Sequence, residues 1–375
     1  MTKYPRVIQS AVEAALFKGK AVVIYGARQV GKTTLVRDIL ARHPSGTLYL
    51  NCDEPDIRAG LTDRTSTELR ALVGRSKLVA IDEAQRVRNI GLTLKLLVDN
   101  APDVQVIATG SSSFELSNTI AEPLTGRKVE FQLFPLSVEE LASQESALES
   151  KRLLEQRLRF GTYPGVLTSE DPASTILEIA SSYLYRDVLE YQTVRNPDQL
   201  RRLLQALALQ VGGEVSYNEL AQLIGIDKAT VNRYVALLEQ AYIIFHLPPF
   251  SRNLRKELAK LRKIYFYDLG VRNAVINNFN PLELRADAGA LWENFFISER
   301  IKHNRNRRRH VNTYFWRTYD GAEIDYLEEA EGQLVGFECK WMAKGWRVPG
   351  AFTAAYPGAV AHMVNRENYL DHLAS

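Results

Sequence analysis

Residues 21–35, AVVIYGARQVGKTTL, constrain the chain more than any other stretch. An apolar run ends in a glycine-bearing turn and passes directly into a helical pattern. Gly26, Gly31, Lys32 and Thr33 match G-x-x-x-x-G-K-[ST]. In that motif backbone N–H groups wrap phosphates, and the glycines permit the close approach. The wrapping backbone is Gly26, Ala27, Arg28, Gln29, Val30 and Gly31, continuing into Lys32, Thr33 and Thr34. Lys32 is expected to reach the β- and γ-phosphates of ATP, and Thr33 to hold Mg²⁺. A helix from about Lys32 to His43 would aim its positive end at the phosphates. The role of Arg28 stays open.

A second motif completes the first. KLVAIDEAQ (77–85) reads as a buried strand ending in Asp82 and Glu83. Asp82 suits Mg²⁺ coordination, directly or through water, and Glu83 suits polarising an attacking water. Short apolar runs at Thr47–Cys52, Val104–Gly110 and Lys128–Leu133, separated by helical patterns, predict a parallel α/β sheet. Ligands bind at the carboxyl ends of such strands. Thr109, Ser111 and Ser112 of VIATGSSS fall there, as a γ-phosphate sensor or as an ordinary Ser-rich turn.

GARQVGKTTL, IDEAQ, TGSSS, LTGRKVEF and LFPLS resemble the AAA+ ATPases, and more narrowly a bacterial and archaeal family of two-part ATPases. The C-terminal half of that family was long classed only as a domain of unknown function. The resemblance continues through FGTYPGVL (160–167) and YLYRDVLEY (183–191). It implies an AAA+ core with a small helical lid. Arg127 in LTGR is then either an arginine finger acting on a neighbouring subunit or a salt-bridged surface arginine.

Residues 200–247 change character. Ser216 with Glu219 forms a capping box that opens a helix through about Ile224. Gly225 supplies a turn, and Asp227 caps a second helix, Lys228–Gln240, with Val231, Val235 and Leu238 on one stripe. This is a helix-turn-helix pattern. Strand-like YIIFHL (242–247) and KIYFYD (263–268) would form a wing. Lys228, Asn232 and Arg233 would point outward, toward a DNA groove or a protein partner. The segment 251–263 carries six Arg or Lys against one Glu, and Arg300–His310 carries six with no acid. Such blocks mark nucleic-acid contact or a solvated helix face.

Near the C-terminus, EIDYLEEAEGQLVGFECK (323–340) predicts a hairpin with Glu331-Gly332 as its two-residue loop. Asp325 would then oppose Glu338, Glu323 would oppose Lys340, and Tyr326 would oppose Phe337. Alternation places Asp325, Glu338, Glu323 and Lys340 on one face, and Ile324, Tyr326, Phe337 and Cys339 on the other. Opposed carboxylates roughly 4.5–5.5 Å apart at Cβ repel unless they share a proton or a cation. Mg²⁺ between them is one solution; a solvated charged face is the other. In GALWENFFISERIKH (289–303), Glu293 sits in an apolar stripe and needs a metal or a cation. Glu293, then Asp325, then Glu338-x-Lys340 resembles the PD-(D/E)XK nuclease superfamily. That resemblance implies Asp325 and Glu338 as metal ligands, Glu293 assisting, Lys340 stabilising charge, and Mg²⁺ or Mn²⁺ as the ion.

At 375 residues the chain exceeds one ordinary core. The expected fold class is α/β: a P-loop AAA+ parallel sheet (residues 1–140) with a helical lid (141–200), a winged helix-turn-helix (201–275) and a C-terminal α/β restriction-endonuclease-like domain (276–375). Two cysteines, Cys52 and Cys339, exclude a disulfide framework and a zinc site. No apolar run approaches the ~18 residues of a membrane span, so a cytoplasmic location is expected. The expected function is ATP hydrolysis coupled to DNA binding and metal-dependent DNA cleavage, in a homo-oligomer for which a ring is one arrangement. The rival is an ATP-dependent switch that docks DNA or protein with a nuclease fold that does not cut.

Overall fold

Five short strands, β1 (Ala21–Gly26), β2 (Thr47–Asn51), β3 (Leu78–Asp82), β4 (Gln105–Gly110) and β5 (Lys128–Leu133), pair in the order β2-β3-β4-β1-β5, all parallel. Every residue of β1, β3 and β4 is buried, as expected for strands covered on both faces. Helix α1 (Lys32–Arg42) follows β1, and helix α2 (Ile90–Asn100) adds Ile90, Leu94 and Leu97 to the core beside Val79, Ile81 and Val106. The strands end within one residue of where the sequence predicts.

These coordinates are a computed structural model that describes residues 4–110, 123–183, 196–250, 262–342 and 345–374. The chain divides into two compact units. One comprises Pro5–Pro135 with Gln240–Tyr242; the other comprises Met1–Tyr4, Leu136–Glu239 and Ile243–Ser375. Ser111 and Ser112, most of YLYRDVLEY and most of the basic segment 251–263 lie outside the described residues.

The second unit holds helices α3 (Pro197–Leu209), α4 (Tyr217–Ile224) and α5 (Lys228–Gln240), with strands β6 (Glu214–Val215), β7 (Ile244–Leu247) and β8 (Arg262–Phe266) in an antiparallel sheet of order β6-β8-β7. Ser216 Oγ accepts from the Glu219 N–H, and Gly225 closes α4 in the left-handed region at φ +77°. Asp227 Oδ1 accepts from the Thr230 N–H at 2.8 Å, capping α5. Val231, Val235 and Leu238 are buried, whereas Lys228, Asn232 and Arg233 are exposed. The short helices between residues 147 and 183 belong to this unit too. Gly270 passes so close to them that a Cβ there would meet the Phe160 carbonyl oxygen at 2.0 Å.

The same unit ends in strands β9 (Asn312–Arg317), β10 (Glu323–Ala330), β11 (Gln333–Cys339) and β12 (Val360–Val364), in the order β12-β11-β10-β9. Helix α6 (Ala288–Asn306) lays Phe296 against Phe337, with ring centroids 5.4 Å apart. The hairpin register is the predicted one: Tyr326 opposes Phe337 and Ala330 opposes Gln333. Glu331 and Gly332 both have positive φ, as a type I′ turn requires.

Two expectations fail here. The strict alternation breaks, because a bulge in the β9–β10 pairing falls between Ile324 and Leu327. Ile324 therefore packs with Leu327, Trp316 and Phe352, not with Tyr326 and Phe337. The basic block Arg300–His310 is not simply a surface. Arg300 forks onto Glu328 at 2.9 and 2.8 Å, and Lys302 is buried against Glu299 at 2.7 Å. Its inner cations answer buried acids.

Candidate functional site

The first candidate site lies at the carboxyl end of β1. A Cβ on Gly26 would fall 2.2 Å from the Leu133 carbonyl oxygen, so the neighbouring strand admits only glycine there. Gly31 turns the chain at φ +99° into α1, and no side chain caps that helix end. Its first N–H groups therefore face outward for an anion. Between the two glycines, Ala27 and Val30 are buried, Arg28 is half-buried and Gln29 is exposed at φ +59°; Thr34, one residue past Thr33, is exposed. Lys32 is 5% exposed, and its Nζ donates to the carbonyls of Gly26 at 2.8 Å and Ala27 at 2.7 Å.

Asp82, at the end of β3, is gripped by hydroxyls. Thr33 Oγ1 and Tyr49 Oη donate to Oδ2 at 2.7 and 2.5 Å, and Thr109 Oγ1 donates to Oδ1. Burial and the bond to Asp82 push the Tyr49 phenol up to about 12, which keeps its proton in place. Thr109 also accepts the Glu83 N–H at 3.2 Å. Its hydroxyl is thus engaged with the Asp82 carboxylate and the Glu83 backbone. Glu83 sits in the left-handed region at φ +53°, and its carboxylate accepts from Gln85. Thr33 and Asp82 together offer the hard oxygen donors that suit Mg²⁺ beside a nucleotide. Tyr49, which sequence reasoning missed, is a β-strand tyrosine with no local polar signal.

Arg127 stands at the other end of the sheet. It precedes β5, and its C=O accepts from the Ala21 N–H at the start of β1 at 2.9 Å. Along the strands it lies roughly 17 Å from the phosphate loop. Its Nε meets Asp99 Oδ1 at 2.7 Å on the surface. Arg127 thus stands at the opposite end of β1 from the phosphate loop.

The second candidate site is an acid cluster at β8, α6, β10 and β11. Asp325 and Glu338 are each 3% exposed, so the solvated-face alternative does not hold. Asp325 Oδ2 accepts the Cys339 N–H at 2.8 Å. Lys340 Nζ bonds Glu338 Oε1 at 2.6 Å, while Glu338 Oε2 is buried with no hydrogen-bond partner. Glu293 accepts from Tyr265 Oη at 2.6 Å. Its demand for a cation is met by Lys263, whose Nζ is 3.2 Å from Glu293 Oε1 and 3.7 Å from Asp325 Oδ1. Burial pushes the Glu293 carboxyl up, reinforced by the Asp325 charge, and Glu338 rises for the same two reasons. Burial also raises Asp325, opposed by Lys263. Burial alone would lower Lys263, but the facing carboxylates outweigh it and hold the ammonium above its ordinary value.

The quartet of Glu293, Asp325, Glu338 and Lys340 does come together. What the sequence did not reveal is the ammonium between two of its acids. Among the described residues no group of three or more His, Cys, Asp or Glu side chains is arranged to hold a metal. As placed, the expected ligand set of Asp325, Glu338 and Glu293 does not fit a divalent ion, because Lys263 lies against Glu293 and Asp325. One signal was available: a lysine heading the apolar strand KIYFY must answer an acid.

Three family models match the chain. They are described as "AAA domain" over residues 18–142, "Domain of unknown function (DUF8612)" over 151–282 and "Domain of unknown function (DUF4143)" over 288–349. The phosphate loop, Asp82 and Glu83 fall in the first, Lys263 in the second, and Glu293, Asp325, Glu338 and Lys340 in the third. The uncharacterized protein Rv2008c of Mycobacterium tuberculosis is 30% identical over 331 residues, covering 87% of this chain and 71% of that one. The uncharacterized protein MJ1544 of Methanocaldococcus jannaschii is 29% identical over 333 residues, covering 80% and 74%. An uncharacterized protein of Haemophilus influenzae is 24% identical over 280 residues, covering 68% of each. Among the described residues no helix is long and apolar enough to cross a membrane. With an AAA ATPase domain bearing the phosphate loop and a following DUF4143 segment, the chain belongs to the family of two-part AAA-domain proteins that includes Rv2008c of Mycobacterium tuberculosis.

Proposed function

We propose that the chain is an ATP-hydrolysing switch that docks DNA and whose acid cluster is neutralised internally and does not cut. The observation that carries the nucleotide half is the arrangement of Lys32, Thr33 and Asp82. Lys32 donates to two carbonyls, which it can exchange for phosphate oxygens. Thr33 and Asp82 would hold Mg²⁺, which when bound screens charge on the β- and γ-phosphates. Glu83 orients the attacking water and accepts its proton, while Thr109 fixes the backbone that carries it. Arg127 acts, if on a nucleotide at all, on that of a neighbouring subunit in a homo-oligomer such as a ring. Turnover of ATP by the purified chain, and its loss in Glu83→Gln, tests this half; unchanged turnover in that variant ends the assignment of Glu83.

DNA docking is supported by α4 and α5 with the β6-β8-β7 sheet, which read as a winged helix presenting Lys228, Asn232 and Arg233. DNA affinity measured with ATP and with ADP should differ; equal affinity in both states removes the switch.

A second reading, Mg²⁺- or Mn²⁺-dependent phosphodiester cleavage, is favoured by one observation: the buried and unpartnered Oε2 of Glu338. It requires Lys263 to leave Asp325. Incubating the protein with plasmid or single-stranded DNA and Mn²⁺ separates the readings. Nicking that Asp325→Ala removes would replace the switch by a nuclease.

A further inference from the structure

A groove of about 710 Å³ opens within the second unit, where the start of α5 comes near β6, β8 and the end of β9. Among the described residues its lining carries three cationic side chains, Lys228, Arg262 and Arg317, against one acid, Glu214. Arg317 Nη1 lies 3.5 Å from Glu214, so that acid is already engaged. The excess charge is positive and faces an anion with repeated charges.

The remaining walls are flat. The Arg262 guanidinium carbon lies 5.6 Å from the Tyr217 ring centroid. Tyr319, in the turn after β9, is 96% exposed. Phe315 lines the groove as well and has Lys263 Nζ 5.6 Å from its ring centroid, so the groove runs beside the acid cluster. Cations beside one exposed ring, Tyr319, suit a chain of phosphates that also offers an unstacked base. A duplex keeps its base faces covered and shows only edges in its grooves, which gives an exposed ring no partner. An acidic peptide would use the cations and leave Tyr319 without a role.

We infer that this groove binds a single strand of nucleic acid, with phosphates on Lys228, Arg262 and Arg317 and a base stacked on Tyr319. This deepens the docking reading above and rests on it, since it names the site and the form of the ligand. The same strand would be led past Phe315 toward the acid cluster.

Fluorescence anisotropy with a labelled oligo-dT strand tests it. Tyr319→Ala should weaken binding about tenfold. That ring is in an exposed turn, and circular dichroism of the variant checks that the fold is intact. Lys228→Gln and Arg317→Gln should each weaken binding and reduce the salt slope by about 0.7, one phosphate contact on a single strand. Arg201→Gln, on α3 outside the lining, should bind as the parent does. If the parent binds but Tyr319→Ala and Lys228→Gln bind equally well, the groove is wrong while the docking reading stands. A parent that prefers duplex to strand also overturns the inference alone, as does a polyglutamate that competes as well as unlabelled oligo-dT at equal charge. A parent that binds no nucleic acid with either ATP or ADP overturns both.

Discussion

The nucleotide loop and the acid cluster are built from the same parts, a buried lysine and acids at the ends of strands, yet they differ in what those parts touch. In the loop, Lys32 leans on the neutral carbonyls of Gly26 and Ala27, and Asp82 on the neutral hydroxyls of Thr33, Tyr49 and Thr109. These partners are dipoles, which hold a charge in place. In the cluster, Lys263 lies between Glu293 and Asp325, and Lys340 lies on Glu338. There charge is paired with charge, two lysines against three acids. A site that orients charge with dipoles keeps it for a ligand, whereas a site that pairs charge with charge has consumed it.

The largest expected effect is on the loop. Lys32→Ala should lower ATP turnover on the order of a hundredfold or more, read in a phosphate-release assay. Comparable turnover would erase the contrast. In the cluster, Lys263→Met leaves two buried carboxylates without their cation and should cost about 3–5 kcal/mol in denaturant unfolding. Added Mn²⁺ should raise the melting temperature of that variant and leave the parent's unmoved. Equal stability of parent and variant would mean the Lys263 pairing is incidental.

Tyr49→Phe removes one hydroxyl from Asp82 and should reduce kcat about fivefold, the worth of a hydrogen bond of ~1 kcal/mol. A variant that hydrolyses ATP at the parent rate would show that Tyr49 does not position Asp82. The Glu338 carboxyl is held up at about 7 by burial and by Asp325, from an ordinary value of 4.5. Folding therefore favours its protonated form. Its contribution is fully present below the unfolded value and is lost as pH rises through the folded one. Glu338→Gln should melt higher than the parent at about pH 8 and match it near pH 4.5. A gain that persists in acid would assign the effect to packing. The smallest change is Arg127→Ala, whose exposed pair with Asp99 contributes under about 1 kcal/mol to stability. Its turnover should fall only where subunits meet, and mixing it with Lys32→Ala protein should restore part of it. Lack of rescue counts against a finger in trans.

The loop was legible because all of its logic is local. The glycine spacing, the strand before it and the acid pair at the end of β3 each leave a mark within a few residues. The C-terminal hairpin was legible for the same reason: Glu331 and Gly332 take the positive φ that a two-residue turn demands, and the pairing of Tyr326 with Phe337 follows. The bulge near Ile324 was not legible, because it is set by β9 and not by the hairpin. Lys263 stands 30 residues before Glu293 and closes a basic segment that drew attention outward, toward nucleic acid. The need of Glu293 for a cation was readable from its apolar stripe, but not which cation would meet it. Arg300 misled in the opposite direction: its acid, Glu328, is 28 residues on, so a buried pair looked like part of a basic surface.

Manganese binding in the absence of nucleotide, followed by electron paramagnetic resonance of the free ion, bears most directly on the contrast between the two sites. The parent protein should leave the ion free, because Lys263 already sits between Glu293 and Asp325, and Lys263→Met should take it up. Stoichiometric uptake by the parent that Asp325→Ala abolishes would contradict the account.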